Sequence, residues 1–180
     1  MHGVLQRVNQ LMSVTLTVLA VLVCLCALSS ALLKFDDVPS VVKTNRLRLM
    51  NVADFTTDSR PKDLGAITFD LKVNFSQVFN WNVKQLFVYV TAEYETETNA
   101  LNQVVIWDKV ILNGDNPIID MENVSSEYYF FDDGNGLVSN KNLSLYLSWN
   151  MVPNAGPLTD HSAPDRCRFK FPDKYHSSRQ

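Results

Sequence analysis

Side chains that could carry out hydrolysis are few in this sequence and poorly placed for it. A serine nucleophile needs a base to take its proton, and that base is most often a histidine. The histidines are His2, close to the N-terminus, and His161 and His176, in the polar C-terminal stretch. No serine stands in a Gly-x-Ser-x-Gly motif. A serine–lysine pair is the arrangement that sequence alone leaves open, and we expect no catalytic residues in this chain.

One loop is a candidate for binding a cation or a phosphate, namely Asp132-Asp133-Gly134-Asn135-Gly136. Its side chains could bind Ca²⁺, but the loop lacks the acidic spacing and the distal glutamate of an EF-hand. No helical pattern follows the glycines, as a phosphate-binding loop at a helix N-terminus would require. We interpret the loop as a tight turn, and we expect neither a metal nor a cofactor.

Covalent modification is better supported, because the sequence has acceptor triplets for N-glycosylation at Asn74, Asn123 and Asn142. Asn142 has the outward parity of the strand that follows it and is the preferred acceptor. Asn123, which we expect in a loop, is a credible second site. Asn74 is less favourable, because it falls within a predicted strand where pairing would hide it.

The N-terminal segment of the chain predicts a membrane anchor. Residues 11–33 carry no charge, and a helix of this length reaches about 34 Å, enough for a hydrocarbon core of about 30 Å. The alternative is a signal peptide cleaved near Ser29-Ser30-Ala31, with Arg7 as its positive flank. The run is longer than a usual signal-peptide core, however, and continues through Leu33. We predict a tail at 1–10, a retained anchor at 11–33 and a domain at 34–180.

The orientation of the anchor follows from the acceptor triplets rather than from charge. Arg7 precedes residues 11–33, whereas Lys34, Lys43, Arg46 and Arg48 follow them, so charge alone favours a cytosolic C-terminal segment or neither orientation. All three triplets follow the apolar run, which is consistent with a type II protein whose C-terminal domain is lumenal.

Alternation of apolar and polar residues predicts that this domain is mainly β. Residues 67–75 and 143–149 alternate strictly, which indicates strands with one buried face, and Trp149 shares the buried parity. Further strands are predicted at 86–94, 104–112, 47–52 and 128–131, with turn-rich segments between several of them. We therefore expect a β-sandwich with a short helical insertion at 76–83.

The charge argues against nucleic acid as a partner, and the positions of the cysteines argue against a disulfide within the large segment. The formal net charge is −3, and the basic residues are scattered, so the basic face that nucleic acid requires is missing. Cys24 and Cys26 lie in the apolar run, and Cys167 stands alone in the large segment, so that segment forms no internal disulfide. We interpret Cys167 as a bystander rather than as a reactive or intermolecular thiol.

Longer segments carry a resemblance to a known family. Residues 81–87, 99–109, 130–137 and 148–156 resemble those of the signal peptidase complex subunit 3 family, the non-catalytic, glycosylated subunits of the endoplasmic reticulum signal peptidase. Residues 171–175 resemble the family's C-terminal Phe-Pro-x-x-Tyr, whereas residues 158–170 depart from the expected pattern. The resemblance covers the chain from its N-terminus to about Gly156.

The resemblance implies an uncleaved anchor, a lumenal domain and a glycan on Asn142. It also implies partners: the catalytic subunit that supplies the serine nucleophile, and two small accessory membrane subunits. This chain would then cradle the catalytic domain at the membrane surface, with lipid around its anchor. A type II receptor or adhesion module and an autonomous hydrolase are the alternative functions.

Overall fold

A computed structural model describes residues 3–32, 38–54, 58–132 and 134–176. The described residues form one helix, α1 (Val4–Ala31), followed by eight strands. The strands are β1 (Ser40–Asp54), β2 (Asp58–Asn74), β3 (Val83–Tyr94), β4 (Asn102–Leu112), β5 (Ile118–Ser125), β6 (Phe130–Phe131), β7 (Leu143–Pro153) and β8 (Thr159–Phe169).

From Leu11 onward helix α1 is apolar on all sides, and it packs against the β-domain only at its C-terminal end. Its large side chains from Val4 to Leu28 are exposed, and its length and composition fit a membrane crossing. A helix satisfies its backbone hydrogen bonds internally, which is what a lipid environment demands. The predicted single-pass helix is confirmed, while Leu33 lies outside the described residues and the bounds 11 and 33 stay a prediction.

Two antiparallel sheets form the β-domain, as the sandwich prediction requires. One has the order β1-β2-β5 with β6 also paired to β2, and the other has the order β4-β3-β7-β8. The alternation in β2 places Ile67, Phe69 and Leu71 in the core, where each is at most 1% exposed. They pack with residues of the second sheet in one hydrophobic cluster, so burial of one face of each sheet holds the domain together.

Trp149 lies in this core, as its parity predicted. It is 0% exposed, its ring meets Phe75 edge to face with centroids 5.3 Å apart, and it stacks on His161 at 6.0 Å. A contact role for Trp149 on the surface of the domain is therefore excluded.

Two local expectations differ from the structure, and a segment for which the sequence made no prediction forms a strand. Residues 76–82 form turns instead of a helix, with backbone N–H groups of Val78 and Phe79 both directed to the carbonyl of Phe75. Asn123 lies in strand β5, not in a loop, at an irregular point of the pairing with β2. The divergent stretch at 158–170 contains strand β8, which pairs with β7 at one edge of its sheet.

The C-terminal segment, residues 170–176, closes over β2. Phe171 is 1% exposed, and a Cβ atom added to Gly65 would lie 2.6 Å from its ring. Further along, the Tyr175 hydroxyl donates to Asp63 Oδ1 at 2.9 Å. The other carboxylate oxygen of Asp63 accepts from the backbone N–H groups of Leu137 and Val138 at 3.2 and 3.3 Å. The Phe-Pro-x-x-Tyr segment is thus a strap across the sandwich.

Replacing Tyr175 with phenylalanine tests this strap, because it keeps the ring and removes the bond to a buried carboxylate. We expect a loss of about 1–2 kcal/mol in the free energy of unfolding, measured by denaturant titration at neutral pH. Tyr129→Phe is the control, since Tyr129 is 80% exposed. Equal stability of the Tyr175 variant and the wild type would contradict the strap.

The comparison of the wild type with Tyr175→Phe also gives a pH prediction. Burial, and then the bond to Asp63, raise the pKa of Tyr175 above its usual 10.0. The folded chain therefore holds this proton more tightly than the unfolded chain does. Its contribution is complete below pH 10.0 and is lost as the pH rises above that value. The stability difference between the wild type and Tyr175→Phe should accordingly shrink at alkaline pH.

Candidate functional site

The carboxamide of Asn82 joins the helix to the β-domain. Its Nδ2 donates to Ser30 Oγ at 2.7 Å and to the Ala155 carbonyl at 2.8 Å. Its Oδ1 accepts from the Ala155 N–H at 2.9 Å and from the Cys26 thiol at 3.6 Å. Asn82 is 1% exposed, and every hydrogen-bonding position of its amide has a partner. We call this set, Cys26, Ser30, Asn82 and Ala155, the junction.

Neighbouring asparagines hold Asn82 in place. Asn80 Oδ1 accepts from the backbone N–H of Asn82 at 2.8 Å, which is an Asx turn. Asn113, in the turn after β4, donates from Nδ2 to the Val83 carbonyl at 2.8 Å. The backbone N–H of Asn154 donates to the Asn82 carbonyl at 2.6 Å. Three turns at one end of the sandwich are thereby fixed to each other and to the helix.

Close backbone approach completes the contact between the helix and the loop after β7. A Cβ atom added to Gly156 would lie 3.4 Å from the Cβ of Ala27, and Gly156 has a φ of +116°. Another residue at this position would meet backbone strain. Residues 33–37, between α1 and β1, lie outside the described residues; within the described residues, the junction joins the C-terminal end of the helix to the β-domain.

The three candidate glycosylation sites are all exposed but lie at different heights. Asn74 ends β2 at the junction end, and its Oδ1 accepts from the Ser76 N–H at 2.9 Å. Asn74 lies in a strand, as the sequence interpretation expected, and pairs with Ile118 of β5, but its side chain is exposed. Asn142 lies at the other end of the sandwich, before Leu143, which pairs with Tyr94. The length of β3, about 36 Å at 3.3 Å per residue, separates these two ends.

Asn123 lies between these heights and is the most constrained of the three. Its φ is 55°, its backbone N–H donates to Asp70 Oδ1 at 2.7 Å, and its Oδ1 accepts from Asn45 Nδ2 at 3.2 Å. The Nδ2 of Asn142, by comparison, donates only to Glu95 Oε2, at 3.2 Å. Of the two, Asn142 has the more accessible surroundings, because no strand pairs with its backbone.

The acidic loop uses its carboxylate to build a turn. Asp132 Oδ2 accepts from the backbone N–H groups of Gly134 and Gly136 at 3.2 and 2.7 Å. Its Oδ1 accepts from the Tyr94 hydroxyl at 2.9 Å. Within the described residues, no group of three metal-binding side chains comes together, and Asp133 lies outside them.

The histidine and cysteine that the sequence singled out take part in packing. The His161 ring stacks on Trp149, with its Nε2 3.0 Å from Thr159 Oγ1. The His176 backbone N–H donates to the Leu49 carbonyl at 2.7 Å, which ends the strap. Cys167 is half-buried against the core. His2 lies outside the described residues.

One outer surface of the β-domain carries partly exposed apolar and aromatic side chains. Phe87 and Tyr89 stack with ring centroids 5.5 Å apart on the outer face of the second sheet. Val110 and Leu112, on the neighbouring strand β4, are 47% and 50% exposed. We call these four residues the open face. Contiguous exposed apolar side chains on a folded domain are typical of protein contact surfaces.

Charged and polar groups border the open face. Tyr89 donates to Asp160 Oδ1 at 3.1 Å, and burial together with the Asp160 charge raises the pKa of its hydroxyl. On the same sheet, Arg166 pairs with Glu93 and lies over the Tyr146 ring, 4.5 Å from its centroid. Such an apolar centre with a polar border is the composition of a protein–protein contact surface.

Comparison with known proteins gives matches over nearly the whole chain. A family model described as "Signal peptidase subunit" matches residues 1–174. Signal peptidase complex subunit 3 of Drosophila melanogaster is 51% identical over 178 residues, which cover 99% of each chain. The protein of the same name from Gallus gallus is 46% identical over 179 residues, with 99% of each chain covered. The Homo sapiens protein is 47% identical over 175 residues, with 97% of each chain covered.

The junction makes a prediction for Asn82→Ala. The variant leaves the Ala155 N–H without its acceptor, at a local cost of about 1–3 kcal/mol. Hydrogen exchange of the loop at 153–158, followed by mass spectrometry, should then be faster by about fivefold or more. Amides of β3 and β7 should be unchanged. Asn116→Ala is the matched control, because Asn116 only caps the Ile118 N–H of an exposed turn. Unchanged exchange at 153–158 would contradict the junction.

Proposed function

The chain belongs to the signal peptidase subunit family, and on that premise we propose that it is the non-catalytic subunit that positions the catalytic one. In this proposal the chain has no catalytic residues of its own. It supports the assembly or the placement of the serine-type subunit that removes signal peptides from nascent secretory proteins. Its action is by contact, through the β-domain, at the membrane of the endoplasmic reticulum.

The junction is the observation that carries this proposal. A peptidase that cuts just beyond an apolar segment must act at a defined height above the bilayer. Misplacement by about 1 Å can cost on the order of a hundredfold in rate. The bonds of Asn82 to Ser30 and Cys26 tie a folded domain to the last turns of its membrane helix. A domain held in this way can transmit its height to a partner that packs against it.

The partners in this proposal are the catalytic subunit and two small accessory membrane subunits, with lipid around α1. The open face is the surface that we assign to the catalytic subunit. It is apolar at its centre, and it follows β3 and β4 upward from the junction. The position of a domain docked there, relative to the membrane helix, would therefore be determined by a single sheet.

Topology is part of the proposal: a type II protein whose β-domain, residues 34–180, is lumenal. Its support is that Asn74, Asn123 and Asn142 all follow α1 and all are exposed. Asn142 is the acceptor that we propose, because it is farthest from the junction and precedes its strand. Asn123 is a possible second site, and Asn74, at the membrane end, is the least favourable.

Depletion of this chain should abolish signal peptide removal, and re-expression should restore it. We expect Val110→Arg on the open face to reduce co-purification of the catalytic subunit in mild detergent, because a charge enters an apolar contact. Val52→Arg is the matched control, since Val52 is 36% exposed but lies on β1 of the other sheet. Normal processing of a secreted precursor after depletion would overturn the function. Equal co-purification of both variants would overturn the assigned surface.

Asn142→Gln should remove one glycan and raise the electrophoretic mobility by one step, as endoglycosidase treatment of the wild type should do. Asn74→Gln should leave the mobility unchanged, and Asn123→Gln shows whether a second site is used. Protease protection in sealed microsomes checks the topology independently. Digestion of the β-domain from the cytosolic side would overturn the type II orientation.

A further inference from the structure

The loops at the junction end of the sandwich lie at the depth of the last turns of α1. Asn82 contacts Cys26 and Ser30, and Gly156 approaches Ala27. About 20 residues of helix are needed to cross a hydrocarbon core, and 20 residues counted from Leu11 end at Ser30. Cys26 to Ser30 then occupy the last ~6 Å of the core, at 1.5 Å per residue. Loops that touch these residues meet the bilayer.

The composition of these two loops suits such a depth. Neither residues 76–83 nor residues 153–158 include a charged side chain. Trp81 is 65% exposed and Leu158 is 67% exposed. Trp107 and Trp149 are in contrast 3% and 0% exposed, so Trp81 is the exposed indole of the three in the sequence. Water does not favour such side chains, whereas the membrane interface is where tryptophan is enriched.

Charged residues beside the loops limit the depth. Lys84 is exposed at the start of β3, where its ammonium group can reach the phosphate level. Asp115, in the turn after β4, accepts from the Leu112 N–H at 3.0 Å, and that turn must stay among headgroups or water. The opposite end of the sandwich is different, because Glu95, Glu97 and Lys141 lie there exposed.

We propose that the loops at 76–83 and 153–158 insert into the interfacial region of the bilayer, with Trp81 and Leu158 among the lipid headgroups and upper acyl chains. The occupant of this surface is lipid. The β-domain would then rest on the membrane at two kinds of contact, the junction with its own helix and the interface around it. The inference is independent of the proposed function, since it needs only that α1 spans a membrane.

Brominated phosphatidylcholine tests the proposal, because bromine quenches an indole that it contacts. The full chain is reconstituted in vesicles with bromine either near the carboxyl end of the acyl chains or near the methyl end. We expect the Trp81 emission to be largely lost with shallow bromine and less reduced with deep bromine. Trp81→Phe should abolish the shallow quenching, because the two remaining indoles are buried.

A displaced tryptophan is the matched control. Tyr129 is 80% exposed and precedes β6, whose Phe130 pairs with Gly65, nine residues of β2 or about 30 Å from Asn74. Trp81→Phe combined with Tyr129→Trp should therefore give an exposed indole that bromine does not quench.

Three outcomes would overturn the proposal. The first is the absence of Trp81 quenching by either lipid. The second is equal quenching of the displaced tryptophan, which would indicate adsorption of the whole domain. The third comes from complexes containing the wild-type or the Trp81→Phe chain. If the quenching difference between them disappears on assembly, a neighbouring protein and not lipid covers the loop.

Discussion

The carboxamide of Asn82 is a buried polar group at a place where solvent cannot replace a lost partner. Such a group destabilises its surroundings unless all of its hydrogen-bonding positions are used, and here one helix and one loop use them. The arrangement is therefore selective: any other relation between α1 and the sheets would leave amide, hydroxyl or carbonyl groups unpaired. The proposed position of the open face and the proposed insertion of Trp81 both depend on this selectivity.

Through the sandwich, the bonds at the junction also determine the position of residues some tens of ångströms away. Strands β3 and β7 begin or end at the junction and run antiparallel through the core to Tyr94 and Leu143. A close-packed interior transmits displacement with little loss, since its side chains cannot compress. The position of a protein domain that packs on β3 and β4 would consequently be determined by the same Asn82 amide that holds the helix.

The sequence predicted those parts of the fold in which burial has a local signature. Residues 67–75 and 143–149 alternate because one face of each strand enters the core, and this needs no knowledge of the partner strand. Strand β8 has no such signature: Ala163 and Phe169 are its buried side chains, and Pro164 interrupts it. Pro164 is tolerated because it falls at the register shift of an edge strand. The prediction of a loop at Asn123 was wrong for a related reason. Asparagine with a positive φ is typical of a turn, but here that φ belongs to a bulge within β5.

The junction and the strap were outside the reach of sequence patterns, because their partners are far apart along the chain. Ser30 and Asn82 are 52 positions apart, and Asp63 and Tyr175 are 112 apart. The available signals were Asn80 and Asn82 and the hydroxyls at the end of α1, yet each is also ordinary for a turn or a helix end.

The position of the strap at the end of the described chain also affects when the sandwich can be completed during synthesis. Phe171 fills the space that Gly65 leaves open, and β8 covers the edge of β7, but both follow every other described strand in the chain. During synthesis the first 157 residues are made before β8 and Phe171, and without these two the space beside Gly65 is unfilled and the edge of β7 is unpaired. A chain interrupted before its last segments would keep that edge available for wrong pairing. Completion of the sandwich thus requires the residues of β8 and of the strap.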